Sequence, residues 1–239
     1  MTAKQTQRMI RNLVLTSLSL LALPLAALAS PSGLNNIPTA DTAPDLVPVI
    51  QEYTTFGADR KPDHTAGMKI GFGPWDKAAF NSRFEAGVDA HLAPDSAGPT
   101  VFSLKYAVKP FEAGPDIGIG SANLAVNSSD RARAGQPFSY VVLSQDFSLF
   151  RAHAGYGVQH QGNAGFVGVD KTFKVFERDL TLRSDATQIQ NERQWLVSVG
   201  AMYAINAWLV AESWASFPVE TGKPTITLKL NFVLDWKKK

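Results

Sequence analysis

Residues 225–236 read TITLKLNFVLDW, and almost every second one is apolar. Ile226, Leu228, Leu230, Phe232, Leu234 and Trp236 share one parity. Thr225, Thr227, Lys229, Asn231 and Asp235 share the other, with Val233 the exception. Side chains alternate faces on a strand, whereas a helix would scatter these residues around its circumference, so the stretch is a strand with one apolar and one polar face. Soluble strands usually run to about five or six residues. This one has the length, roughly 9–11 residues, that a tilted strand needs to cross a hydrocarbon layer.

The same rhythm recurs upstream. Strands are expected at 46–55, 65–72, 83–92, 101–108, 116–126, 138–145, 151–159, 164–173, 180–187, 195–203 and 208–217, which with the last makes about twelve. In 83–92, for example, Phe84, Ala86, Val88, Ala90 and Leu92 alternate with Arg83, Glu85, Gly87, Asp89 and His91. Residues 116–126 are Gly-rich with no clear facing, 138–145 is apolar on both parities, and no stretch keeps a helical period. Before the first strand, residues 30–45 are rich in Pro, Gly and Asn and predict an extended segment without regular structure. Polar connections at 59–63, 94–99, 127–137, 190–193 and 218–224 predict one side with long loops, against short turns at 147–149 and 205–207.

The positions of charge decide the environment. Lys69, Glu85, Asp89, Lys105, Arg183, Asp185 and Lys229 all lie on the parity opposite the apolar residues. A Lys or Arg on a lipid face near the midplane costs about 2–4 kcal/mol, whereas in a lumen it pairs or holds water. A soluble sandwich with charged outer faces satisfies the same parity. Two features favour a membrane. Aromatic residues sit near strand ends (Phe72, Trp75, Trp195, Tyr203, Trp208, Phe217, Trp236), as an interfacial girdle requires. Glycines share the charged parity (Gly67, Gly71, Gly87, Gly155, Gly157), which leaves room inside a narrow barrel. The expected fold is all-β: a closed antiparallel up-and-down transmembrane β-barrel of about 12 strands over 46–236, followed by a basic tail at 237–239. Its expected lumen lining is Lys69, Glu85, Asp89, His91, Lys105, His153, Arg183, Asp185, Glu212 and Lys229. The signs nearly balance, which predicts an ion-pair network around a narrow or blocked path.

The first residues are an address. Lys4, Arg8 and Arg11 precede an apolar run over 13–28 that ends in Ala27-Leu28-Ala29, the layout of a secretory signal peptide over 1–29 cleaved after Ala29. Three of the 23 basic residues lie in that leader, which leaves 20 against 21 acidic ones, so the formal charge of +2 carries no message about nucleic acid. With no Cys in the chain, disulfides and a lipoprotein anchor are excluded. The expected location is the bacterial outer membrane. The expected partners are its lipid, the barrel-assembly machinery and a polysaccharide or small solute.

Candidate chemistry is sparse. His64, His91, His153 and His160 show no HxH or HExxH spacing, so no metal or other cofactor is expected. His153 with Ser144 or Ser148 forms a conceivable serine–histidine pairing, but no GxSxG element accompanies it, and no enzyme is expected. Arg131 and Arg133, in the longest loop, are candidate contacts for lipid phosphates or an acidic glycan.

Residues 33–45, GLNNIPTADTAPD, resemble the GLxNxPxA…DG-like segment that opens the YjbH-type barrels, bacterial outer-membrane proteins linked to exopolysaccharide operons. Gly33, Leu34, Asn36, Pro38, Ala40 and Asp45 match, while Leu46 stands where a Gly is usual. The chain also ends on Lys237, Lys238 and Lys239 rather than on an aromatic residue. The resemblance implies an outer-membrane barrel associated with envelope polysaccharide and brings no catalytic residues with it. The function expected is passive transport of small solutes or a part in polysaccharide export. The alternative is a binding or structural β-protein of the periplasm or cell surface that uses its outer loops.

Overall fold

In the computed structural model, twelve strands close into one antiparallel barrel. The structure describes residues 32–58, 60–73, 82–93, 96–134, 137–159, 162–188, 194–220 and 222–235. The leader at 1–29, Trp75, His160, Trp236 and the basic tail lie outside the described residues. The strands are β1 Val49–Gly57, β2 Arg60–Phe72, β3 Ser82–Ala93, β4 Ser96–Val108, β5 Asp116–Leu124, β6 Phe138–Asp146, β7 Arg151–Gln159, β8 Gly162–Val175, β9 Arg178–Gln188, β10 Trp195–Ala204, β11 Leu209–Pro218 and β12 Thr225–Val233. Each pairs with its sequence neighbours, and β1 closes on β12 in unbroken register from Val49↔Val233 to Gly57↔Thr225. Closure satisfies every ladder amide inside the sheet and leaves no edge, which is the condition for a sheet in hydrocarbon.

Alternation fixes which side faces in. Lys229 is 7 % exposed and its neighbour Leu228 51 %; Glu85 is 2 % exposed and Phe84 58 %. In a soluble protein this would be inverted. Here the apolar parity is the outer surface and the charged parity fills the interior. Exposed Phe72 and Trp208 ring the end where the chain enters β1 and leaves β12, the terminus end. Exposed Phe56, Trp195 and Phe217 ring the opposite, loop end. Among the described residues Glu52, His64, Lys171 and Arg178 depart from the pattern and lie on outward positions, where Thr54 Oγ1 hydrogen-bonds His64 Nδ1 at 2.8 Å. His64 is thus on the outer face, neither in a loop nor in the lumen.

The connections differ from expectation. Residues 60–63 and 96–99, read as loop, extend β2 and β4, so the first and third connections shorten to 58–59 and 94–95. They pair with β1 and β3 across a register shift in each ladder (Thr55↔Asp63, then Gly57↔Arg60; Ala90↔Thr100, then Leu92↔Ala97), and pairing overrides the turn-forming Pro and Asp. At the terminus end, 73–81 and 109–115 are longer than these, so the two ends do not divide cleanly into turns and loops. The fifth connection holds a helix, α1, Ser128–Ala134, which the sequence rhythm did not predict. Asn127 caps it by accepting the Asp130 amide at 2.7 Å.

Candidate functional site

Every inward position on a barrel strand points to the same axis, so the interior is where dispersed residues meet. The segment preceding β1 is there already. Residues 32–48 carry no strand or helix, yet Ile37, Ala40, Ala43 and Val47 are buried at 4 % exposure or less, because the segment is folded inside the barrel. It bends back on itself through Leu34 N–H donating to the Ile37 carbonyl at 3.0 Å and a bridge between Gly33 and Pro38. This plug is the part that sequence reasoning missed. The Pro, Gly and Asn that predict an extended segment leave its backbone polar groups without local partners, and these are what the lumen groups bind.

Two carboxylates and one ammonium hold it. Glu85 accepts from the Ser32 amide at 2.8 Å, the Ser32 hydroxyl at 2.5 Å and the Ala43 amide at 2.6 Å, so one side chain ties both ends of the loop. Asp185, on β9, accepts the amides of Asn35 at 2.9 Å and Asn36 at 3.2 Å. Lys105 Nζ donates to the carbonyls of Ser32 at 2.7 Å and Thr39 at 3.3 Å, 3.6 Å from Glu85. Asn36 Nδ2 donates to the Ser198 and Ser216 hydroxyls. Charge-assisted bonds are shorter and roughly twice as strong as neutral ones, so these buried ions are the main anchors.

The remaining contacts are steric and apolar. On one wall Phe138, Tyr140, Val142 and Phe166 pack around Ile37, with Leu34 alongside. This explains why 138–145 is apolar on both parities: its inward set meets the plug, while Val141 and Leu143 face out. The space left by Gly155 and Gly157 is taken by the rings of Phe166 and Phe138. On the opposite wall the plug lies directly on β2: Leu46 N–H donates to the Gly71 carbonyl at 2.9 Å, and a Cβ on Gly71 would stand 2.1 Å from the Ala43 carbonyl oxygen.

Arg151 guards the terminus end. Its Nη1 donates to both carboxylate oxygens of Asp41 on the plug, at 2.6 and 2.7 Å, while Asp116 and Asp146 lie 3.3 and 3.4 Å from the same guanidinium. Desolvation pushes the Asp41 carboxyl up, but Arg151 outweighs it and holds the group below its ordinary value of 3.8. Next to it, Ala40 N–H donates to Ser144 Oγ at 3.0 Å. Ser144 Oγ is 2.8 Å from His153 Nδ1, and His153 Nε2 is 2.7 Å from Asp170.

The expected lumen set thus divides in the structure. Glu85, Lys105, Asp185 and, through Ser144, His153 meet the plug. A second group lies beside β1 and β12: Arg183 and Lys229 flank Glu212, which Asn231 also bonds, with Arg183 over Trp214 and Lys229 over Tyr53. Lys69 lies close enough to Glu85 and Glu212 to attract both. Asp89 accepts from Gln51 Nε2 at 2.7 Å, and His91 is 3.7 Å from Asp63 nearer the loop end. Arg131 is exposed on α1, apart from all of these, and the Arg133 side chain lies outside the described residues. Among the described residues no group of three His, Cys, Asp or Glu is placed to hold a metal.

No family model matches the chain, and no curated protein matches it in sequence. Solved structures match its fold. A KdgM porin superposes with a TM-score of 0.54 at 9% identity, covering 77% of this chain and 98% of its own. A KdgM porin in complex with disordered oligogalacturonate gives 0.55 at 11%, covering 78% and 98%. The architecture is therefore that of a 12-strand porin-like barrel, and the solved barrels it resembles are porins.

Proposed function

We propose that this chain is an outer-membrane barrel for passive passage of small polar solutes, and that its own residues 32–48 act as the gate. The observation that carries this reading is the plug. It crosses a polar lumen and is held there by ionic and hydrogen-bonding groups that a hydroxyl-rich solute also satisfies. The apolar outer surface and its two aromatic rims support a bilayer location, and the leader expected at 1–29 supports export. Likeness to a porin solved with oligogalacturonate supports a sugar-like solute. The resemblance of residues 33–45 to YjbH-type barrels supports a link to envelope polysaccharide, and those residues are the plug itself. No driving force is needed: passage follows the gradient once the plug is displaced.

The test is uptake by liposomes carrying the refolded protein, with neutral and acidic sugars graded by size. The native chain is expected to admit them slowly, and a chain lacking residues 32–43 to admit them fast up to a size cut-off. If the shortened chain forms a folded barrel and still admits no solute, the transport reading fails and a binding role through the loops replaces it.

A further inference from the structure

The array at the terminus end has a property that anchoring a plug does not require. With Asp170 as the acceptor, a neutral His153 carries its proton on Nε2 and turns the lone pair of Nδ1 to Ser144. The Ser144 hydroxyl then donates to Nδ1, while its own lone pair receives the Ala40 amide. In that form the chain runs serine to imidazole to carboxylate within hydrogen-bond reach. That is the arrangement of a nucleophile, its base and the group that orients the base. Either imidazole nitrogen can serve as the base; here it is Nδ1. β-Pairing builds the array: Ser144 is directly opposite His153 on β7, and Asp170 lies two residues beyond Gly168, the partner of His153 on β8. Ser144 also lines a cavity of about 220 Å³ at the terminus end with Lys109, Glu112, Asp116 and Asp146.

We propose that Ser144 is a latent nucleophile, with His153 as its general base and Asp170 as a positioning residue, and that the site cleaves small polar carboxylic esters. The size of the cavity suits a short acyl group such as acetyl on a hydroxylated carrier, and Lys109, paired with Asp116 at 3.9 Å, is the cation on its wall that can turn to a developing oxyanion. As Oγ adds to the ester carbonyl, the Ser144 proton passes to His153 Nδ1. On collapse that proton goes to the departing alkoxide, which leaves as the alcohol, and the acyl group stays on Oγ. A water molecule from solvent then adds to the acyl carbonyl and gives its proton to Nδ1. The carboxylic acid leaves and Ser144 regains its hydrogen. Ser144 is 1 % exposed beneath Ala40, so the plug covers the nucleophile and its movement uncovers it. The site shares its movable cover with the proposed gate, but labelling of Ser144 is read separately from solute passage and survives failure of the transport reading.

The test is covalent labelling with a fluorophosphonate, followed by mass spectrometry of the adduct, and hydrolysis of 4-nitrophenyl acetate. It uses the refolded full chain, Asp41→Ala, which removes the Arg151 clamp beside Ala40, and a chain without residues 32–43. Folding of each is checked by the heat-dependent shift of barrels on gels. Ser144 is expected to carry the adduct, at least tenfold faster in one of the two opened chains than in the native one. Ester hydrolysis is expected to fall about a thousandfold in Ser144→Ala. His153→Ala should abolish labelling although it loosens the plug, whereas a purely structural array predicts that it exposes Ser144 and changes nothing else. A folded opened chain with no adduct on Ser144, or an adduct that persists in His153→Ala, overturns the proposal.

Discussion

Single residues decide whether the plug can dock. At Gly71 the obstacle to any side chain is the backbone carbonyl of Ala43, which cannot rotate away, so Gly71→Ala is expected to expel residues 32–48 while leaving the barrel closed. At Gly168 the nearest atoms are the side-chain tips of Leu34 and Ile37, which can shift, so Gly168→Ala is expected to be milder. Single-channel recording compares them: Gly71→Ala should raise conductance well above the native value, and Gly168→Ala should not. Asp41 makes a pH prediction. Its carboxyl is held below 3.8 in the folded chain, so its contribution to docking is complete above that value and is lost as pH falls through the lower folded value. Arg151, Asp116 and Asp146 face it from the barrel and Lys105 from β4. The plug should therefore stay docked from neutral pH to about pH 4 as far as Asp41 is concerned. The part of any opening below that pH that disappears in Asp41→Asn belongs to this group.

At the scale of elements, the barrel is regular where alternation is strict and irregular where turns are forced. The connection between β8 and β9 is Phe176-Glu177, and both have positive φ, 48° and 62°. Two residues with φ above zero make the type of turn that suits the twist of a hairpin, but Asn-Gly is the pair that adopts it without strain. A left-handed conformation costs a non-glycine residue roughly 1–2 kcal/mol, so Glu177→Gly should stabilise the barrel by about that amount in urea unfolding. The β9–β11–β12 ion cluster is expected to behave oppositely. Arg183→Ala leaves Glu212 with Lys229, 3.8 Å away, and Lys69 as its cations. Removing one partner of a buried pair costs about 3–5 kcal/mol when the other is left without a counter-charge, so with Lys229 and Lys69 still present the same unfolding measurement should show a loss below that range. An unchanged midpoint would mean that water reaches Glu212.

For the whole molecule, the nearly balanced lumen and the docked plug together predict small, weakly selective currents in a planar bilayer. Large, strongly anion-selective currents from the native chain would contradict this. Chains opened by Gly71→Ala or by loss of residues 32–43 should conduct more without acquiring strong selectivity, because the plug carries few charges of its own.

Much of this was written in the sequence. Alternation over membrane-crossing lengths is a local property, so about twelve strands, each with one apolar and one polar face, follow from residues such as Ile226, Leu228 and Leu230 against Thr227, Lys229 and Asn231. The parity that carries charge is equally local. What only the tertiary structure decided is contact across the barrel. Glu85 and Asp185 are 100 residues apart, and nothing in either strand says that they hold one intervening loop. Residues 33–45 read as irregular because their backbone groups have no partners nearby in sequence; those partners stand on distant strands, brought round by closure. Ser144 and His153 are visible as two residues, but their bond depends on a register that alternation alone leaves open, and Asp170 on the strand beyond. Period fixes the face of each side chain, whereas closure, register and the fate of a segment without a period are set by which faces can bury and satisfy one another.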